Sequence, residues 1–309
     1  MEQIMELLSA QRKSSDPATR TIEERRDRLD GLARIFPLPD DVERTELELG
    51  GVPAVRLAPP LVRRSEAKPS PAEEAALSEG EDVLFYLHGG GYRGGSAVSH
   101  AELAARLARA AGAVAVLPEY RLAPEHTFPA ALDDVLAAYR AQLEALDGDA
   151  SRIVVAGDSA GGGLAVAMCV ALRDAGESLP RALALLSPWL DLTCTSPSWD
   201  SRLEGDLVLD HSLKDAAERY LDGADPRDPL ASPLFADLAG LPPILLQVGT
   251  HEILYDDAVS FADMAGKGGV RVELEIGHDL IHVWQIFPIT PEAVASTVRI
   301  GRFLGTAKR

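Results

Sequence analysis

The sequence predicts an α/β fold: a central, mostly parallel sheet flanked by helices, with a helical cap. Three observations carry this. Short apolar runs recur from Val83 to Leu87, Ala113 to Leu117, Ile153 to Ala156, Ala182 to Leu186 and Ile244 to Val248. They lack the alternation of a half-exposed strand, so they read as strands buried on both faces. Segments with helical spacing separate them, at Ser99 to Ala111, Phe128 to Leu146 and Leu164 to Asp174, and such helices are what cover a parallel sheet. Gly157-Asp158-Ser159-Ala160-Gly161 stands at the junction of one such strand and helix.

The remaining elements follow in order. Met1 to Phe36 carries Ile22, Leu29, Leu32 and Ile35 at helical spacing among many charges, and Pro37 and Pro39 end it. It reads as one amphipathic stripe, fit to cover a site or simply to pack. Thr45 to Leu57 alternates around Gly50-Gly51, which predicts a hairpin with Leu47 and Leu49 on one face. Pro59 to Glu81, rich in Pro, Ser, Ala and Glu, reads as an exposed loop. Between Asp191 and Ala231 the strand pattern stops, and His211 to Leu221 has helical spacing. An insertion there, beside the N-terminal helices, makes a cap. Val270 to Ile276 alternates as a strand near the sheet edge, and Pro291 to Phe303 closes the chain as a helix with proline in its first turn. The expected organisation is N-terminal cap helices over residues 1–40, the first part of the core over 41–190, a cap insertion over 191–231, and the second part of the core over 232–309.

With 309 residues the chain suffices for one large α/β domain and an appendage. A formal charge of −18, from 30 basic and 48 acidic side chains, argues against nucleic acid or an anionic membrane surface as partner. Cys169 and Cys194 are the only cysteines; two make no disulfide framework, and a cytoplasmic location is expected. Met1 to Arg12 is acidic and then basic, without an apolar core, so no signal peptide is expected. No apolar run is long enough to span a bilayer.

The Gly-x-Ser-x-Gly turn lifts the Ser159 hydroxyl above the sheet edge and aims the first amides of the next helix at a reacting carbonyl, the nucleophile-elbow signature of α/β-hydrolases. His88-Gly89-Gly90-Gly91 follows the first buried strand directly. A glycine loop lets backbone amides project freely toward a developing oxyanion. The expected oxyanion hole is Gly89, Gly90 and Ala160, with His88 holding the loop rather than moving protons. In the α/β-hydrolase order, acid and then histidine follow the serine. Of seven histidines, His211, His251, His278 and His282 lie after Ser159. His278 and His282 both fall after strand Val270 to Ile276, where the base belongs. His282 is preferred because Val283-Trp284-Gln285-Ile286-Phe287 anchors it. The acid belongs just beyond Val248, where Glu252, Asp256 and Asp257 stand; Glu252 is preferred and Asp256 is the alternative. Tyr92, Trp189 and Leu207 are candidate pocket residues, with packing in the core or cap as the competing reading.

These residues resemble the hormone-sensitive-lipase-like (family IV) carboxylesterases of the α/β-hydrolase superfamily. The resemblance is carried by His88-Gly89-Gly90-Gly91-Tyr92, Gly157-Asp158-Ser159-Ala160-Gly161-Gly162 and Tyr120-Arg121-Leu122-Ala123-Pro124-Glu125-His126-Thr127-Phe128-Pro129. Ser187-Pro188-Trp189-Leu190-Asp191-Leu192-Thr193 and Asp228-Pro229-Leu230-Ala231-Ser232-Pro233 also look like family segments. One departure concerns the acid, commonly Asp in a loop like Asp-Pro-Leu-Arg-Asp; matched here, Glu252 takes that position and Asp256 the later Asp. The resemblance implies no metal, no organic cofactor and often a homodimer paired along the last sheet strand. It implies a serine carboxylesterase for small-molecule esters, and the small, not very apolar cap region points to acyl groups of short to medium chain length. The rivals are a lactone hydrolase, deacetylase or amidase of the same fold, and a non-catalytic binding protein like the gibberellin receptors, which typically lack the catalytic histidine.

Overall fold

The hairpin at Gly50-Gly51 begins the sheet. In the computed structural model, which describes residues 4–6, 21–60, 81–206, 208–209 and 212–307, β1 (Glu43–Leu49) and β2 (Val52–Ala58) pair antiparallel across it. The other strands are β3 (Asp82–Leu87), β4 (Ala113–Pro118), β5 (Ile153–Asp158), β6 (Leu183–Leu186), β7 (Ile244–His251) and β8 (Val272–Ile281). All eight form one sheet in the order β1-β2-β4-β3-β5-β6-β7-β8. β2 meets β4 antiparallel, and every pairing from β4 to β8 is parallel.

The continuous apolar runs are explained by two cores, one on each face. Along β3, Val83, Phe85 and Leu87 enter one core, while Leu84 and Tyr86 enter the other. β4 and β5 divide in the same way: Val114, Val116, Ile153 and Val155 face one side, and Ala115, Leu117, Val154 and Ala156 the other. Pleating sends successive side chains to opposite faces, so a strand covered on both sides has no polar position to alternate with. Helices α3 (Ala101–Ala111) and α9 (Pro291–Thr306) cover one face. Helices α4 (Ala130–Glu144), α5 (Ala160–Asp174) and α8 (Tyr255–Lys267) cover the other.

The N-terminal stripe is not one helix. α1 (Ile22–Asp30) starts at a capping box, in which Thr21 Oγ1 accepts from the Glu24 N–H and Glu24 accepts from the Thr21 N–H. It stops at Gly31, and α2 (Leu32–Ile35) is a single turn that leaves Ile35 exposed. Ile4 packs separately, against Ile281 and Trp284. β8 runs past Ile276 to Ile281, because its pairing with β7 resumes beyond a bulge, His251 opposite Ile281. His278 therefore lies within the strand. The exposed edge strand tolerates polar residues there, and their polarity is what ends the alternation in the sequence. Most of the loop expected over Pro59 to Glu81 lies outside the described residues, as do Leu207 and His211. No helix among the described residues is long and apolar enough to cross a membrane.

Candidate active site

Ser159 sits between β5 and α5 with φ +52° and ψ −122°, a backbone conformation that costs a non-glycine residue on the order of 1–3 kcal/mol. Four hydrogen bonds hold it there: the Ser159 N–H donates to Leu186 O at 2.9 Å, and its carbonyl accepts from Trp189 N at 2.8 Å, Gly162 N at 3.0 Å and Gly163 N at 3.2 Å. The flanking glycines are steric requirements. A Cβ on Gly157 would lie 2.4 Å from Gly161 O, and one on Gly161 would lie 2.1 Å from Leu87 O. The side chain is nearly buried, and among the described residues no hydrogen bond joins its hydroxyl to His282.

His282 follows β8 directly. Its Nδ1 lies 2.9 Å from Glu252 Oε2, and both side chains are enclosed. A carboxylate at Nδ1 fixes the proton there and leaves Nε2 as the acceptor of the neutral ring. Burial pulls the imidazole's pKa down, but the hydrogen bond to Glu252 and its charge, with Asp206 and Asp158 further contributing, hold it above the ordinary histidine value. Glu252 is itself positioned at its other oxygen, Oε1, by the Ser187 hydroxyl at 2.8 Å and by the Gly249 N–H. Ser187 Oγ accepts in turn from the Val283 N–H at 3.1 Å. One hydroxyl thus ties the loops after β6, β7 and β8 together. The expected anchor after His282 is a 3-10 turn, Trp284–Ile286, with Trp284 Nε1 donating to Ser296 Oγ at 2.9 Å.

The other candidates separate clearly. Asp256 is half-buried at the start of α8, with its N–H donating to Ser198 Oγ at 3.1 Å. His278 is exposed on β8. Gly89 does not fit the hole expected of it: its N–H donates to Asp158 Oδ1 at 2.9 Å. The carboxylate next to the nucleophile takes the first glycine amide and anchors the loop. Among the described residues no hydrogen bond is made by the N–H of Gly90, Gly91 or Ala160.

Behind the loop, Asp158 Oδ1 also accepts from Tyr86 OH at 2.7 Å, and Oδ2 lies 3.4 Å from His100 Nε2. Burial opposes charge on Asp158, yet His100 wins and keeps its carboxyl below the usual range. His88 is different. Burial, with His100 nearby, pushes it down to about 4. Its ring stacks on Tyr120 at 4.3 Å between centroids, and Tyr120 OH donates to His88 O at 2.6 Å. A neutral, stacked histidine suits the loop-holding part expected of it.

Of the candidate pocket residues, Trp189 has no exposed surface, and its indole N–H donates to Asp191 O at 3.0 Å. Tyr92 is also buried, stacked on Tyr220 of α7 (Ser212–Leu221) at 3.9 Å and 5°. Both pack in the core, the competing reading given above. Next to Tyr92, Arg93 donates to Asp215 Oδ2 at 2.6 Å and to Ser212 O at 2.9 Å. Arg26 of α1 donates to Arg93 O at 2.8 Å and pairs with Glu125 at 2.7 Å. α1 and α7 therefore both fasten to the glycine loop at Arg93. Sequence reasoning missed Ser187, although it lies in a quoted family segment, and it missed the Asp158–Gly89 hydrogen bond, because nothing local shows that Asp158 reaches Gly89.

A family profile described as alpha/beta hydrolase fold matches residues 84–286. An acetyl-hydrolase of Streptomyces hygroscopicus is 48% identical over 227 residues, 73% of this chain and 76% of that one. An esterase of Acinetobacter venetianus is 35% identical over 279 residues, 89% of this chain and 86% of that one. The crystal structure of an esterase from the bacterial hormone-sensitive lipase family superposes with a TM-score of 0.89 at 40% identity, covering 99% of this chain and 97% of the other.

Proposed function

The chain belongs to the hormone-sensitive-lipase-like branch of the α/β-hydrolases and is a carboxylic ester hydrolase, and from that premise we propose that it cleaves short- to medium-chain esters through Ser159, His282 and Glu252. The observation that carries the reading is the enclosed His282 Nδ1–Glu252 Oε2 hydrogen bond at 2.9 Å, at the same sheet end as the strained elbow serine. Ser159 Oγ attacks the acyl carbon while His282 Nε2 takes its proton. Glu252 holds the ring and stabilises the imidazolium. We assign the oxyanion to the unpaired amides of Gly90, Gly91 and Ala160. His282 returns the proton to the leaving alcohol, and water, activated by the same ring, releases the acid. The N-terminal helices and residues 191–231 are proposed as the cap, since both rest on the glycine loop. The relative named acetyl-hydrolase favours the short end of the acyl range. Two buried free cysteines accord with a reducing compartment such as the cytoplasm.

The test is initial-rate hydrolysis of p-nitrophenyl esters of graded acyl length, with lactones and anilides beside them, for the wild type and Ser159→Ala. Turnover highest on short acyl esters, falling about 10⁶-fold in kcat in the variant, is expected. Folded wild-type protein that turns over lactones or anilides but no ester refutes the reading.

A further inference from the structure

The inserted segment is fastened to the loop that carries Glu252. At α6 (Ser198–Ser201), Ser198 Oγ donates to Ile253 O at 2.6 Å and accepts from the Asp256 N–H. Arg202 donates to Thr250 O, and its guanidinium lies 3.8 Å from the Tyr255 ring centroid. Asp206 has no exposed surface. Its Oδ1 accepts from the N–H groups of Val208 at 3.0 Å and Leu209 at 2.8 Å, and its Oδ2 accepts from Ile253 N–H at 2.9 Å. Ile253 follows Glu252 in the chain, so the insertion holds it by both backbone groups, N–H through Asp206 and C=O through Ser198.

The Asp206 charge also acts on the His282 imidazole, raising its pKa. Burial pushes the Asp206 carboxyl up to about 6, against the pull of the His282 charge and the Leu209 and Ile253 amides, while Glu252 adds to the rise. A buried imidazolium is stabilised by every carboxylate whose charge reaches it.

We infer that Asp206 is a positioning residue for ester cleavage: it ties the insertion to the acid loop through Ile253 and sets a second negative charge beside the His282 imidazolium. This rests on the assignment of His282 and Glu252 made above. It gives residues 198–206 a part in the chemistry, because they hold the acid loop.

The experiment uses the full chain as wild type, Asp206→Asn and Ser198→Ala. Proton NMR follows the downfield His282 Nδ1–H against pH, a readout that needs no substrate and so is independent of whether Ser159 turns esters over. Kinetics on a short acyl ester run alongside. In Asp206→Asn the His282 midpoint is expected to fall by roughly one pH unit, with kcat lowered about tenfold. Ser198→Ala removes the other tether without changing charge, and is expected to lower kcat with the midpoint unmoved. A folded Asp206→Asn protein with wild-type midpoint and kcat overturns the inference. A Ser198→Ala protein with wild-type kcat overturns it too, and that holds even if the Asp206 variant does not fold.

Discussion

Replacing Glu252 with Gln tests the relay at its most constrained point. Oε1 accepts from two fixed donors, the Ser187 hydroxyl and the Gly249 N–H. The amide oxygen of a glutamine must therefore stay on that side, which turns its NH₂ toward His282 Nδ1. Two donors cannot face each other, so the ring is driven to the tautomer with its proton on Nε2, where it cannot accept from Ser159. The negative charge beside the buried imidazolium is lost as well. Together these are expected to lower kcat about 10⁴-fold, or about 5 kcal/mol of barrier, as for the acid of such relays in general. Glu252→Asp keeps the charge but is shorter by one methylene, so it cannot serve His282 and the Ser187–Gly249 pair together; a loss of roughly 10²-fold in kcat is expected. Asp256→Asn, which touches neither partner, is expected to stay within about threefold. The assay is kcat on a short-chain p-nitrophenyl ester, with circular dichroism and a thermal melt to establish folding. Glu252→Gln within about tenfold of wild type, with Asp256→Asn collapsing, would refute the assignment of the acid and the tautomer argument with it.

Two further outcomes are expected. His282 is the base in its neutral form, and its pKa is held above the ordinary value; kcat/KM should therefore fall as pH drops through a midpoint above about 6.5, and a flat profile between about pH 5 and 8 would count against His282. Gly90 has φ +121°, and a Cβ there would lie 2.2 Å from Gly94 O, so Gly90→Ala should displace the amide assigned to the oxyanion. The expected loss is about 10²–10³-fold in kcat with a smaller change in KM; a variant with wild-type kcat would remove Gly90 from the hole.

The sequence by itself determined the sheet, because its information is local. Runs such as Val83 to Leu87 and Ile153 to Ala156 cannot be satisfied except between two apolar layers, and the glycines around Ser159 permit a turn that side chains would block. It also narrowed the base and acid to a few neighbours, since chain order and strand ends restrict them. Only the tertiary structure decided among those neighbours. Glu252 rather than Asp256 meets His282, although only four positions separate them, because Ser187 just after β6 and Gly249 on β7 orient the first, while Ser198 of α6 engages the backbone of the second at the start of α8. The Gly89 amide is taken because the Asp158 carboxylate folds back onto it across 69 residues of chain, and on that ground Gly91 replaces it in the proposed hole. Trp189 and Tyr92 look like pocket aromatics in one dimension and prove to be core, since burial is set by what packs against a side chain and not by its type. Asp206 had no local signature at all. Its significance arises from one hydrogen bond to Ile253, 47 residues away, and from a charge shared across the fold with His282. Long-range pairing of this kind is not written in spacing or composition; it exists only once the chain has closed on itself.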